Sequence, residues 1–179
     1  MIVILGKYED DGRKNEYVKI DPWDTWDMYT SLGLIALPML KQLREQKHGS
    51  PVVDLEDVPP ELQLHGIPQY ETHQLDMFSS EEGEKRKEEA MHTRWDWVLD
   101  EIIFAFESIV GENQDWEDKY SSGNFDVYFE KVPGNDEFSE MKYGRNHTFE
   151  VDWEGRLVEG NRIQNGFRLF GKYYQALWD

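Results

Sequence analysis

The chain has 179 residues, 37 of them acidic and 19 basic, so that its formal net charge is −18. A chain of this length normally forms one domain, expected here over residues 1–179, and the 14% aromatic content excludes a disordered chain. The lack of cysteine excludes a disulfide, a thiol nucleophile and a cysteine-based zinc site. We expect a soluble intracellular protein, because the start is too acidic for a signal peptide and no apolar run is long enough for a membrane span.

An antiparallel hairpin is predicted near the first residue. Residues 2–7 form an apolar run, and residues 16–20 alternate between apolar and polar side chains. Residues 9–12, with the sequence EDDG, have the composition of a turn. Together these segments favour two paired strands that lead into the first helix.

The first long helix is predicted to begin near Asp24, whose carboxylate is suited to accept the free amides of the first turn. Trp23 and Met28 have the spacing of a hydrophobic staple. Pro38 is expected to kink this helix without ending it, and residues 49–51 are expected to end it. The predicted buried stripe consists of Leu32, Ile35, Ala36, Met39, Leu40 and Leu43.

Basic or titratable residues cluster at the end of this helix, at Lys41, Arg44, Lys47 and His48. Lysine and arginine near a helix C-terminus commonly offset the helix dipole. In a chain with this net charge, the cluster is also suited to hold a small anion with one or two phosphates, although not a long polyanion. The sequence favours neither interpretation over the other.

A proline- and acid-rich stretch at about residues 50–79 predicts an irregular connection. The second long helix is predicted to begin at Ser79, which forms a capping-box pattern with Glu82, and to end at Gly111. The residues expected in its core are Trp95, Val98, Leu99, Ile102, Ile103, Phe106 and Ile109.

Strands and a third long helix are predicted in the last third of the sequence. Residues 125–132 alternate as a strand, residues 133–136 form a turn, and residues 138–153 supply one or two partner strands. The third helix is expected from about Glu154 to Trp178. The fold class is therefore α+β, with three long helices and a small antiparallel sheet.

Interior glycines in this third helix call for a compensating contact. Gly160, Gly166 and Gly171 each cost roughly 1 kcal/mol, and close packing against another helix or a second copy is the usual compensation. Paired copies would bring Arg168 and Lys172 of two chains together, and an anion between them would relieve their repulsion. We therefore expect a homo-oligomer, a dimer or tetramer, with ligand bound where chains meet. The predicted apolar stripe consists of Ile163, Phe167, Phe170, Tyr174 and Leu177.

Two Glu-x-x-His pairs raise the alternative of a metal-dependent enzyme. Glutamate is abundant, so such pairs arise by coincidence, and lysines beside one pair oppose a metal cation. No Gly-x-Ser-x-Gly elbow or glycine-rich phosphate loop is present. The sequence therefore assigns no catalytic residue, metal ligand or cofactor. The residues that this alternative would use are Glu45, His48, Glu89, His92, Asp96 and Asp100.

Aromatic rings accompany both basic clusters. Nucleic-acid bases stack on such rings for roughly 1–3 kcal/mol each while arginine or lysine meets phosphate, although core packing is the commoner role of a ring. The combination favours a nucleotide-sized ligand. The candidate ligand-binding residues are Trp23, Trp26, Lys41, Arg44, Lys47, His48, Ser50, Arg162, Arg168, Lys172 and Tyr173.

Three blocks of sequence, at residues 21–59, 94–107 and 161–179, resemble a widespread family of small tailed-phage proteins. They cover a little under half the chain. Without a matched motif, the resemblance extends to the phage anti-CBASS sponges, oligomers that sequester cyclic dinucleotide signals without cleaving them. It implies ligand contacts within residues 41–48 and 162–173, and the cytoplasm of the infected host cell as the place of action.

The sequence thus predicts a phage-encoded binding protein that sequesters a small phosphate-bearing signal, such as a cyclic dinucleotide of host anti-phage immunity, without catalysis. Direct nucleic-acid binding and membrane binding are not expected. The net charge supports a competing hypothesis, an acidic nucleic-acid mimic that occupies a host DNA-binding protein. A virion or assembly component is a third possibility.

Overall fold

The computed structural model describes residues 2–8, 14–63, 81–111 and 118–178. The helices of these residues are α1 (Met28–Gln46), α2 (Pro60–Gln63), α3 (Glu81–Val110) and α4 (Trp153–Lys172). The strands are β1 (Ile2–Tyr8), β2 (Lys14–Lys19), β3 (Ser121–Ser122), β4 (Val127–Val132), β5 (Asn135–Tyr143) and β6 (Glu150–Val151). The predicted α+β class is confirmed. In addition to the three long helices, the described residues form a fourth, short helix. Instead of one small sheet, the described strands form three two-stranded antiparallel sheets, β1–β2, β3–β6 and β4–β5.

Helix α3 is the centre of a helical bundle, because it packs against both α1 and α4. The predicted core of this helix is confirmed. Burying one large apolar side chain stabilises a fold by about 1.5–3 kcal/mol, so this stripe is a main source of stability. Its buried residues are Trp95, Val98, Leu99, Ile102 and Phe106, with Ile103 and Ile109 packed against them.

A glycine sets the distance between α3 and α4. A Cβ added at Gly166 would lie 2.5 Å from Ala105 Cβ and 2.5 Å from the Glu101 carbonyl oxygen, closer than real atoms approach. Close packing against another helix is therefore the compensation at this position, and that helix belongs to the same chain. Gly160 and Gly171 have nothing within 4 Å of such a Cβ.

The start of α1 differs from the prediction. Helix α1 begins at Met28, and its N-cap, Asp27, makes no side-chain capping hydrogen bond. Asp21, rather than Asp24, caps a separate 3-10 turn at Pro22–Thr25 that precedes the helix. Asp21 accepts a hydrogen bond from the Trp23 amide at 3.0 Å, and its own amide donates to Asp24 at 2.7 Å. The predicted staple is wrong, because Trp23 and Met28 are 77% and 55% exposed. Proline at the first position favours this early turn, since its φ angle is already helical.

Helix α1 buries part of the predicted stripe, because Leu40 lies in the core and Ala36 and Leu43 pack against it. The buried face is shifted from the predicted one. Gly33, Leu37 and Leu40 face the core, whereas Leu32 and Met39 of the predicted stripe are exposed. The choice of face follows from Gly33, where an added Cβ would lie 2.7 Å from Val110 Cγ1 of α3. A helix docks where its backbone can approach closely, and the apolar spacing alone does not show this.

The middle and end of α1 agree with the prediction in part. Pro38 lies inside the helix, which continues beyond it as predicted. The helix then ends at Gln46 with Lys47 as its C-cap, ahead of residues 49–51. In the connection that follows, residues 50–63 contain only a 3-10 turn at Leu55–Asp57 and the single turn of α2.

The two larger hairpins follow the predicted strands. In the first, Val3 pairs with Val18 and Ile4 with Tyr17, which confirms the predicted hairpin. In the second, β4 and β5 are joined at Gly134, whose φ of +84° favours glycine because it has no Cβ. The turn predicted at residues 9–12 lies outside the described residues.

Helix α4 ends at Lys172, earlier than predicted. Tyr174 therefore lies in a following 3-10 turn and is exposed, so its assignment to the buried stripe is wrong. Gly111 ends α3 with a φ of +91°, as predicted, whereas Ser79 lies outside the described residues. No helix in the described part of the chain is long and apolar enough to cross a membrane.

Candidate binding surfaces

A buried carboxylate, Asp57, gathers three of the predicted ligand-binding residues at the end of α4. Its side chain is only 2% exposed. Tyr173 donates a hydrogen bond from its hydroxyl to Asp57 Oδ2 at 2.7 Å. Arg168 Nη1 lies 2.7 Å from Oδ1, and Lys172 Nζ lies 2.6 Å from Oδ2. The anion that the sequence placed among these residues is thus supplied by the chain itself.

The charges of this cluster fix each other's protonation states. Burial alone would raise the pKa of Asp57, but the hydrogen bonds that Lys172 and its neighbours donate outweigh burial and hold the pKa below its ordinary value. Burial and the hydrogen bond to Asp57 raise the pKa of Tyr173 to about 12. At neutral pH, a charged carboxylate therefore faces a protonated phenol and two cations.

Further contacts tie the Leu55–Asp57 turn to α4. Lys172 Nζ also lies 2.6 Å from Asp54 Oδ2 and 3.4 Å from Glu56 Oε1. The Asp54 amide donates to the Tyr173 hydroxyl at 3.0 Å. Sequence reasoning missed this segment, although its three acids within four residues were a visible signal of an acidic partner for α4.

The basic cluster of α1 is paired with acids along one face of α3. These α3 acids follow helical spacing, so that they form a ladder opposite the cations. The pairs are Lys41 with Glu107 at 2.9 Å, Arg44 with Asp100 at 2.8 Å and Lys47 with Asp96 at 2.5 Å. The cations at the end of α1 and those at the end of α4 are thus paired with different acids.

Arg162 also binds a carboxylate of the same chain. Its guanidinium makes a two-pronged contact with the buried Glu101 of α3, at 2.7 Å from Nη2 and 3.0 Å from Nε. The same group lies 3.7 Å from the centre of the Phe104 ring. Both contacts are typical of arginine as an anchor between helices.

Of the remaining candidate ligand residues, three lie on the surface and Ser50 is partly buried. Trp23 and Trp26, at 77% and 86%, are the most exposed of the large apolar side chains that the structure describes. His48 is exposed as well. Ser50 Oγ lies 2.7 Å from Nδ1 of His92 on α3, a contact that sequence reasoning did not predict.

Within the described residues, no three histidine, aspartate or glutamate side chains are placed to hold a metal ion. Asp96 and Asp100, which the metal-enzyme alternative would use, lie against Arg44 and Lys47. Two cations at these carboxylates oppose the binding of a third positive charge.

An exposed surface on the second hairpin was not predicted. Phe129 of β4 pairs with Met141 of β5, and Val127 pairs with Tyr143, so these side chains share one face. The face continues into rings in mutual contact, with centroids 4.2 Å apart for Tyr143 and His147. We call this surface the aromatic ridge. It consists of Phe125, Phe129, Met141, Tyr143, His147 and Phe149.

The opposite face of this hairpin carries more charge, although Phe138, which is 61% exposed, also lies on it. Lys142 lies between Glu130 and Glu140, with which it forms ion pairs, and Tyr128 lies on the same face. One apolar and one charged face are typical of a sheet with one side covered. The alternation at residues 125–132 contained this signal, but it was interpreted only as evidence of a strand.

A small polar cleft lies where β3 meets β6, with a volume of about 260 Å³. Its walls include Lys119, Glu150 and Asp152. Lys119 forms an ion pair with the buried Glu159, which also accepts a hydrogen bond from Tyr120 at 2.6 Å. Cavities for small ligands usually measure about 300–1,000 Å³, so this cleft is too small and too acidic for a nucleotide.

No family model, no curated protein and no solved structure matches this chain.

Proposed function

We propose that the protein is a non-catalytic binding protein that docks onto a basic protein surface through the aromatic ridge. The observation that carries the proposal is the exposed ridge itself, which has a charged face behind it. Such a protein would act inside the infected host cell if the resemblance to tailed-phage proteins extends to its biology. A nucleic-acid-binding protein is the obvious class of partner, because its surface is basic.

The charge distribution supports a basic partner over a phosphate ligand. Eight of the described cations form ion pairs with acids of the same chain, including all six lysines and arginines that the sequence proposed as ligand contacts. They are Lys41, Arg44, Lys47, Lys119, Lys142, Arg162, Arg168 and Lys172. The acidic excess of the chain, in contrast, attracts a cationic surface.

The composition of the ridge supports its role as the contact surface. Protein interfaces are enriched in aromatic residues and methionine at their centre and have a polar rim. Phe129 is 69% exposed and Tyr143 is 64% exposed, which is costly for a surface that nothing covers. The ring-to-ring contacts hold Phe125 and Tyr143 in place before any partner binds, so little entropy is lost on binding.

A capture experiment with two matched variants tests this proposal. Phe129→Ser removes a ring from the ridge, whereas Tyr128→Ser removes a ring from the charged face of the same strand. From a lysate of the bacterial host, wild type and Tyr128→Ser should retain the same basic protein, and Phe129→Ser should retain at least tenfold less. Equal retention by both variants, or retention of no basic protein, would contradict the proposal.

A second candidate function is the sequestration of a small phosphate-bearing ligand, such as a cyclic dinucleotide. The exposure of Trp23 and Trp26 supports it, because both rings are free to stack on bases. Phosphate binding at Arg168 and Lys172 would require the carboxylate of Asp57 to give way.

One experiment tests both whether the protein binds a cyclic dinucleotide and whether it leaves the nucleotide intact. The pure protein is incubated with a panel of cyclic dinucleotides and then heated, and mass spectrometry identifies what is released. Intact nucleotide supports a sponge, linear product indicates a phosphodiesterase, and no bound nucleotide rules out the candidate. If phosphate competes with the carboxylate, Asp57→Asn should bind the nucleotide more tightly than wild type.

A further inference from the structure

A second apolar stripe runs along α1, beside the face that packs on α3. Leu32 and Met39 in this stripe are 51% and 56% exposed, and Met28 is exposed to a similar extent. Residues 28–40 contain no charged side chain, although 31% of the chain is charged. The stripe consists of Met28, Leu32, Ile35, Met39, Gln42 and Gln46.

The spacing of this stripe is that of a coiled-coil seam. Its residues follow each other at intervals of four, three, four, three and four, which keeps one line of side chains facing a partner helix. The apolar part lies at the N-terminal end, and Gln42 and Gln46 hydrogen-bond to each other at the C-terminal end. A helix that is apolar on two sides is normally buried on both, and α3 covers only one.

We propose that this stripe is the interface of a homodimer, in which the α1 helices of two copies pack together about a two-fold axis. A second copy fits better than an acidic or basic partner, because the stripe has no charge with which to select one. Two-fold symmetry places the same patch against itself, so a neutral apolar stripe is complementary to its own copy. The dimer is independent of the aromatic ridge and of the function proposed for it.

The surface near the stripe is large enough for a stable dimer. A helix pair of this length buries roughly 800 Å² in total, below the ~1,200–2,000 Å² of specific interfaces. Trp23 and Trp26 lie in and just after the 3-10 turn that contacts α1, and Tyr17 of β2 and Ile20 after it are exposed as well. The proposed interface includes these side chains, which would bring the buried area to about 1,200 Å². Sequence reasoning had placed the contact between copies on α4 instead.

The salt dependence of the dimer follows from the net charge. Two chains with a formal charge of −18 each repel one another, while the seam itself gains no attraction between opposite charges. Added salt screens the repulsion, so raising the NaCl concentration from about 50 mM to about 500 mM should tighten the dimer. An interface held by ion pairs would respond in the opposite direction.

Two leucines of the same helix provide a matched test. Leu32 lies in the stripe, and Leu34, which is exposed to a similar extent, lies on another side of α1. By light scattering after size exclusion at about 20 µM, wild type and Leu34→Glu should have the mass of a dimer. Leu32→Glu should be monomeric, with a dissociation constant at least tenfold higher, because it buries one negative charge from each copy in an apolar interface.

Any other pattern overturns the proposal, whether wild type is a monomer, Leu32→Glu remains a dimer, or Leu34→Glu dissociates equally. If Leu32→Glu fails to fold, the absence of cysteine provides a second test. Ile35→Cys in otherwise unchanged protein should form a disulfide between copies under mild oxidation. Cysteine at Leu34 should not, and equal cross-linking at both positions would contradict the proposed face.

Discussion

The helical bundle and the β4–β5 hairpin differ in where their apolar side chains lie. In the bundle, α3 is covered by α1 and α4, and Trp95, Leu99 and Ile102 are fully buried. In the hairpin, Phe129 and Tyr143 are mostly exposed, and β4 pairs with β5 alone among the described strands. A two-stranded hairpin is marginally stable without further packing.

The charges of the two regions differ in the same way. In the bundle, carboxylates of α3 and Asp57 hold the cations of α1 and α4 in place. In the hairpin, Lys142 forms ion pairs with Glu130 and Glu140 on one face only. Side chains in the bundle therefore find their partners within the chain, whereas the hairpin has a surface that is suited to a partner from outside. This difference predicts how substitutions in each region will behave.

The largest effect is expected at the closest contact of the bundle. Gly166→Ala places a methyl group against Ala105 and the Glu101 carbonyl, which should lower the free energy of unfolding by about 3 kcal/mol. Gly160→Ala on the same helix meets nothing and should raise it by roughly 0.5–1 kcal/mol. Urea denaturation measures both. A similar change for the two variants would show that α3 and α4 do not pack closely at Gly166.

A smaller loss is expected from the buried carboxylate. Asp57→Asn removes the charge that faces Arg168 and Lys172, whose side chains are partly exposed and so remain partly hydrated. The free energy of unfolding should fall by about 2 kcal/mol. Asp54→Asn, at an exposed acid that also contacts Lys172, should cost less than about 0.5 kcal/mol.

The pH dependence provides an internal check on Asp57. Because the folded protein lowers its pKa, the contribution of Asp57 is present above the ordinary value of about 4 and is lost as pH falls below it. The stability difference between wild type and Asp57→Asn should therefore shrink in acid. A difference that stayed constant down to about pH 3 would show that the carboxylate is not specifically stabilised.

At alkaline pH, the stability of the protein should show a still smaller effect, which comes from Tyr173. The pKa of its hydroxyl is raised to about 12 in the folded protein, compared with about 10 in an unfolded chain. Stability is therefore lost as pH rises above about 10, by about 1 kcal/mol at pH 11. Thermal melts of wild type and Tyr173→Phe should converge over this range. Parallel curves would contradict the assigned environment of the phenol.

The smallest effect on stability is expected at the aromatic ridge. Phe129→Ser removes an exposed ring from a strand that contacts mainly β5. The free energy of unfolding should therefore change by less than about 0.5 kcal/mol. Urea denaturation of this variant and of Tyr128→Ser should agree within that limit. A larger loss for Phe129→Ser would mean that the ridge packs within the chain.

The sequence predicted the elements of this fold better than their orientation. Helical spacing identified the core of α3, because that helix is covered on most sides. For α1, the same reasoning identified Leu40 and its neighbours but wrongly included Leu32 and omitted Leu37. These two leucines are equally apolar, and the close approach at Gly33 fixes which of them is buried. Such an approach depends on Val110 of α3, which lies more than seventy positions away in the chain.

The sequence identified the basic and aromatic residues of the candidate site near the end of α4, but not the carboxylate that they bind. Arg168, Lys172 and Tyr173 do lie together, as expected from their positions near the end of α4. Their partner, Asp57, lies more than one hundred residues earlier, and an acidic chain offers too many carboxylates for sequence alone to select one. The ridge was missed because an exposed aromatic face and a buried one have the same alternation.

Amide hydrogen exchange of the free protein tests the contrast between the two regions most directly. Amides of residues 98–106 in α3 should exchange only on global unfolding, because the buried core surrounds them. Amides that pair β4 with β5 should exchange at least about a hundredfold faster, since that hairpin can open without disturbing the bundle. Equal protection of the two segments would contradict the account, because it would mean that the hairpin is already covered within the chain.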